Sequence, residues 1–303
     1  MSAGIAADNA MRVAVAFGGA VASLVPLQAR QDFARDRASF RVDFVCGVRV
    51  KARCFENPEA AAEQTRLRAE LPDAFVPVLH RSGPVVLEQW VDGVPWDAVE
   101  RSADDIRSAA TLLGAVHQVR RAAGQELPYL APTTDVIAMN QGNLALLTAT
   151  GALSTQQQSA LQPKLAAAPP AAVHGLLHTD FCPENIVRSS DGTLWVVDNE
   201  HLRVGAVDMD LARSWARWDP ERPWSDAQRE QEWNLFAAAY VEAGDASDSS
   251  AAQELGDLID HQEFWRLSAL TLGAAVLVQG GAQNSPAATN GLDYLRNAAG
   301  VTT

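Results

Sequence analysis

The sequence is poor in cysteine: Cys46, Cys54 and Cys182 are the three in 303 residues. An odd, scattered set gives no disulfide framework and no paired-cysteine metal pattern, and it favours a reducing compartment. The cytoplasm is therefore the expected location. Long apolar runs are missing too. Nothing approaches the ~20 apolar residues that a membrane-spanning helix needs, so no membrane partner is expected. The run Val13 to Leu27 follows a single Arg12, and Asp8 lies ahead of it. It reads as an N-terminal helix packed on the part of the fold that follows, with export the minor alternative. Basic residues are scarce: 24 Lys and Arg stand against 37 Asp and Glu, a formal charge of −13. That balance argues against nucleic acid, whose phosphates demand basic patches. Three common catalytic patterns are also absent: GxSxG, GxGxxG and the Walker lysine loop.

What is present is divided unevenly. Residues 1–92 carry 11 acids and 11 bases, whereas residues 93–303 carry 26 acids and 13 bases. An acidic second part would concentrate a cationic small molecule; a soluble acidic surface accounts for the same excess.

Residues 38–46 alternate apolar and polar, Gly47 marks a tight turn, and Val48–Phe55 alternates again, which predicts a hairpin. Asn57-Pro58 opens a helix running to about Leu71, with Asn as cap and Pro in the first turn. Phe75–His80 and Val85–Trp90 read as two more strands. After Asp92-Gly93 the pattern turns helical: Asp97–Ala123 first, two helices within 132–167, and most of 207–300. A short apolar stretch, Val173–Leu177, and a small hairpin, 186–187 with 194–197, interrupt it. These elements predict an α+β fold of two lobes. Residues 1–92 form a small antiparallel-sheet lobe, and residues 93–303 a larger, mainly helical lobe.

Between those elements lies His178-Thr-Asp180-Phe-Cys-Pro-Glu-Asn185, and Asp198 ends the strand Leu194–Asp198. Phosphoryl transfer needs an aligned acceptor hydroxyl and a divalent metal against phosphate charge. A loop carboxylate such as Asp180 can align the hydroxyl and take its proton. An amide five residues on, Asn185, and a second carboxylate, Asp198, are oxygen donors of the kind Mg²⁺ prefers.

The segments Val173–Val187 and Leu194–Glu200 resemble the aminoglycoside phosphotransferase family, which shares the protein-kinase fold, and the order of elements agrees over about residues 26–245. The resemblance implies ATP (or GTP) and Mg²⁺ as cofactors and a small-molecule hydroxyl as acceptor. It implies that Lys51 grips phosphate, that Glu63 pairs with Lys51, and that backbone near Glu88 and Trp90 meets adenine. It makes His117 a buried structural histidine, His178 scaffold for the loop, and Asp210 the brace of the catalytic loop. Glu59 and Glu70 remain alternatives to Glu63. One departure stands out: the segment 32–39, expected over the phosphates, has no glycine. There the backbone amides of Ala38 and Ser39, with Arg35 or Arg37, would have to serve.

The acceptor is read from acids and aromatics. Glu184, Glu200, Asp208, Asp219, Glu221, Asp226, Glu230 and Glu232 suit ammonium groups, and Trp218 with its neighbouring tryptophans suits a cation or sugar ring. Core packing and helix-dipole roles compete for the same residues. An aminoglycoside-like antibiotic is the first expectation, with choline, homoserine or a sugar second. A nucleotide-binding pseudokinase and a zinc hydrolase built on His174-x3-His178 are the rivals from other classes.

Overall fold

The computed structural model describes residues 3–27, 38–119, 136–168, 174–199, 202–245 and 262–300. The chain forms two compact units: one holds the described residues up to Val94 together with Val187–Leu202, and the other holds the rest.

In the first unit, helix α1 (Ala3–Gly18) is followed by strands β1 (Val21–Pro26), β2 (Ala38–Phe44) and β3 (Arg49–Cys54). Helix α2 (Pro58–Arg68) precedes strands β4 (Val78–Ser82) and β5 (Val85–Gln89). The five strands form one antiparallel sheet in the order β1-β2-β3-β5-β4. Val42, Val50, Ala52, Cys54, Val85 and Leu87 point to one face, where Ala6, Ala10, Val13 and Ala14 of α1 cover them. Each fully buried Val or Leu there contributes about 1.5–3 kcal/mol. Strand β1 differs from the helical reading of 13–27. The helix stops at Gly18, and Gly19 turns the chain with φ of +85°, a conformation glycine adopts freely. A continuous apolar run cannot by itself mark such a break. Helix α2 starts as expected, with the Asn57 side chain accepting from the Ala60 amide at 2.7 Å.

The segment 187–202 was expected with the helical lobe. It groups instead with the sheet unit, because its strands β8 (Ile186–Ser189) and β9 (Leu194–Val196) join β6 (Gly93–Pro95) in a three-stranded sheet. Val196 also exchanges backbone bonds with Ala74 (2.9 Å) and Val76 (3.2 Å). Gly93 is required there: a β-carbon on it would stand 2.4 Å from the Arg188 carbonyl oxygen.

The second unit is built mainly of helices. Helix α3 (Ala103–His117) begins later than the pattern suggested, because Ser102 and Asp105 form a reciprocal capping box. A separate 3-10 turn, Trp96–Ala98, takes up the earlier residues. Helices α4 (Val136–Ala149), α5 (Thr155–Leu161), α6 (Val207–Ala216) and α7 (Ala227–Asp245) follow, with two more at Gln262–Gln279 and Pro286–Ala299. Two short strands, β7 (His174–Leu177) and β10 (Arg203–Ala206), pair antiparallel. No helix among the described residues is long and apolar enough to cross a membrane.

Candidate active site

Strand alternation decides what β3 offers. Val50, Ala52 and Cys54 go into the core, so Lys51 and Arg53 share the opposite face. Lys51 Nζ lies 2.5 Å from Asp198 Oδ1 and 3.9 Å from Glu88 Oε2. Glu88 stands directly across the ladder from Lys51. Its other oxygen receives Arg68, which also donates to the Val76 carbonyl. Burial works to raise the Glu88 pKa, but Arg68, Lys51 and Arg53 outweigh it and hold the carboxyl below the ordinary range. Asp198 sits in left-handed backbone, φ 62°, which is uncommon for a residue other than glycine.

Two sequence expectations change here. Glu63 is held by Arg66 one turn on, through bonds of 2.8 and 3.1 Å, while the ion pairs of Lys51 go to Asp198 and Glu88. A cross-strand neighbour meets the lysine more directly than a residue on α2. Glu88 is also ill placed for adenine. Its backbone belongs to a strand paired on both sides, and its side chain is 2% exposed. Trp90 lies just past the end of β5, and its indole donates to Asp92 at 3.1 Å. Ser39 lies in β2 opposite Arg53, and its carbonyl accepts from Leu27. The glycine-free segment before it, 32–37, lies outside the described residues.

The second unit supplies a braced loop. Asp210, in α6, is fully buried. Its Oδ2 accepts from the His178 amide and its Oδ1 from the Thr179 amide, each at 2.7 Å. His117 Nε2 lies 3.0 Å from Oδ2, and His117 Nδ1 lies 2.8 Å from the Tyr240 hydroxyl. Thr179 is in left-handed backbone, φ 67°. The His178 ring is fully buried and meets Phe181 edge-on. Gly175 lets β7 pass close to α3: a β-carbon there would stand 2.6 Å from the His117 carbonyl oxygen.

The brace presents Asp180 at the start of a turn. Asn185 Nδ2 donates back to the Asp180 carbonyl (2.8 Å) and to its Oδ2 (2.9 Å). Oδ1 accepts from Arg217 at 2.5 Å, and Arg217 also donates to Glu184 at 3.0 Å. Cys182 between them is no nucleophile, since burial pushes its thiol up to about 12. Arg217 was not read from the sequence. It lies seven residues after Asp210, at the C-cap of α6.

Most residues assigned to the acceptor are otherwise engaged. Glu184 is paired with Arg217. Asp208 is 8% exposed. Trp218 has no exposed surface; it packs against Trp96, Trp233 and Phe236 and donates to Glu232. Arg101 binds both Asp219 and Glu232. Core packing thus won for Trp218, as it commonly does for helix-spaced tryptophans. Glu200 lies outside the described residues.

A model of the phosphotransferase enzyme family matches residues 56–255. The chain belongs to that family. Its fold is the α+β, kinase-like fold of the family, and the protein is a phosphotransferase. Solved structures agree on the fold. A macrolide 2'-phosphotransferase from Brachybacterium faecium is 16% identical over 98% of each chain, with a TM-score of 0.57. A choline kinase from Cryptosporidium parvum is 11% identical over 97% of this chain and 93% of its own, with a TM-score of 0.61. A thermostable mutant of an aminoglycoside phosphotransferase, solved with ADP and hygromycin B, is 14% identical over 97% and 99%, with a TM-score of 0.60. Among curated proteins no sequence matches.

The family member's buried carboxylates make stability depend on pH. The Asp210 pKa is subject to burial, which raises it, but His117, the His178 ring and the His178 amide prevail and hold it low. Depressed folded-state values at Asp210 and Glu88 stabilise the fold fully above the unfolded-state range, about pH 4. The stabilisation is lost as pH falls through the folded values. Thermal unfolding should therefore show a falling midpoint below about pH 4 and little change from pH 5 to 7 from these groups.

Proposed function

We propose that the protein is an ATP-dependent O-phosphotransferase of the cytoplasm. It moves the γ-phosphoryl group to a hydroxyl of a polar small molecule. The Lys51–Asp198 pair carries this reading: it sets a cation fit for phosphate beside a carboxylate fit for a divalent metal. All three cysteines are free, which suits a reducing cytoplasm.

In the sheet unit, Lys51 receives phosphate oxygens, and backbone beside Trp90 meets the adenine. In the helical unit, Asp180 aligns the acceptor hydroxyl and accepts its proton as the acceptor oxygen bonds to the γ-phosphorus. The bond to the β–γ bridging oxygen breaks, and ADP carries that oxygen away. Asp198 and Asn185 are assigned to Mg²⁺. They fit it by chemistry: both are oxygen donors, and Asn185 turns its amide nitrogen to Asp180, which leaves its amide oxygen for a cation. Mg²⁺ supplies neutralisation of phosphate charge. His178, His117 and Asp210 hold the loop, as their burial supports.

For the acceptor, an aminoglycoside-like, cationic antibiotic comes first, which would make the protein a resistance enzyme. The acidic excess of residues 93–303 and the hygromycin-bound relative support it. A metabolic alcohol such as choline is second, supported by the choline kinase relative. An ADP-release assay over aminoglycosides, other hydroxylated antibiotics, amino alcohols and sugars tests both. One acceptor should raise turnover well above the rate with water, and failure of the whole panel would overturn the reading.

Lys51→Met tests the phosphate role. A charge-assisted hydrogen bond is worth about 1.5–3 kcal/mol, so KM for ATP should rise by roughly 10- to 100-fold. Steady-state kinetics in ATP reads it directly.

A further inference from the structure

Asp198 is approached by two cations. Arg53 NH1 lies 3.6 Å from Asp198 Oδ1, the same oxygen that Lys51 Nζ holds at 2.5 Å. The two cations are neighbours by construction: positions 51 and 53 share one face of β3, while 50, 52 and 54 fill the core. Arg53 is 4% exposed, a degree of burial an arginine rarely reaches unless its charge is used. Its stem is fixed in the middle of the ladder, between Ser39 of β2 and Val86 of β5.

That register gives Arg53 a particular place. Ser39 follows the glycine-free segment 32–37, and it stands opposite Arg53 across β2 and β3. The Arg53 guanidinium offers a planar fork of donors that matches phosphate oxygens.

We propose that Arg53 is a second phosphate-binding cation of the nucleotide site, working beside Lys51. The inference rests on the nucleotide reading above. Arg53 bonds phosphate oxygens bidentately, and in the absence of nucleotide it and Lys51 share Asp198. Its contribution is specific for phosphate and absent for the nucleoside.

Calorimetric titration of the full chain with ATP and Mg²⁺, with ADP and Mg²⁺, and with adenosine tests this in wild type, Arg53→Met and Arg53→Lys. Arg53→Met should weaken ATP at least tenfold and leave adenosine within about twofold, the scale of one charge-assisted contact. Arg53→Lys, which keeps the charge but not the fork, should recover part of the loss. Should Arg53→Met fail to fold, Arg53→Gln keeps the polar reach without the charge and must show the same ATP-selective loss. ATP affinity unchanged in the neutral variants overturns the proposal alone. Equal losses for ATP and adenosine, with a lowered unfolding midpoint, overturn it in favour of a packing role. A wild type that binds neither ligand overturns the nucleotide reading and this proposal with it.

Discussion

Asp180→Ala is expected to lower kcat by roughly 10²–10⁴-fold, the range for losing a general base. ATP affinity should stay within a few-fold, because Lys51, the group assigned to phosphate, keeps its pairs with Asp198 and Glu88, and Asn185 keeps its bond to the backbone carbonyl of residue 180. The variant also leaves Arg217 with Glu184 as its remaining bonded carboxylate of the pair. Asp180→Asn separates the two effects. It preserves shape and a side-chain oxygen, but it cannot take a proton at neutral pH. Both variants should therefore fall together in kcat if proton acceptance is the main role. Single-turnover rates with a productive acceptor, measured beside ATP titrations, decide the matter. A kcat within tenfold of wild type in both would remove Asp180 from the chemistry.

The other large effect is on stability. Asp210→Ala takes away a fully buried carboxylate that serves the His178 and Thr179 amides and lies against His117. Removing one member of such a buried network costs about 3–5 kcal/mol, since the donors left behind stay out of water. An unfolding midpoint lower by about 5–8 °C follows from the usual scaling for a chain of this length. Asp210→Asn should recover little. Its amide group can accept on one oxygen only, and its NH2 would face a second N–H donor. Midpoints equal to wild type in both variants would show that the brace is dispensable.

Much of this arrangement was legible beforehand, for local reasons. The β2–β3 hairpin declares itself by alternation around Gly47, and α2 by Asn57-Pro58. The loop 178–185 is legible because its contacts are short in sequence: Asn185 reaches Asp180 within five residues. The partner of Lys51 was not legible. It depends on the register of β3 against β5, which is set by the 36 intervening residues together and not by the helix that follows Lys51 alone. In the sequence Arg53 is one of two arginines, with Arg49, that alternation puts on the face of Lys51, and distance to Asp198 decides its meaning. Trp218 shows the reverse failure. Its composition suits a ligand ring, yet four aromatic groups close around one another to fill the core.

The three thiols differ in a way that matters at the bench. Cys54 and Cys182 are sealed in and held protonated, pushed up to about 11 and about 12, whereas Cys46 is exposed in the β2–β3 turn. A maleimide dye should accordingly modify the unaltered folded chain at one position, five residues from Lys51. The hairpin thus carries its own attachment point for a fluorescent reporter of nucleotide binding, with no cysteine to engineer away.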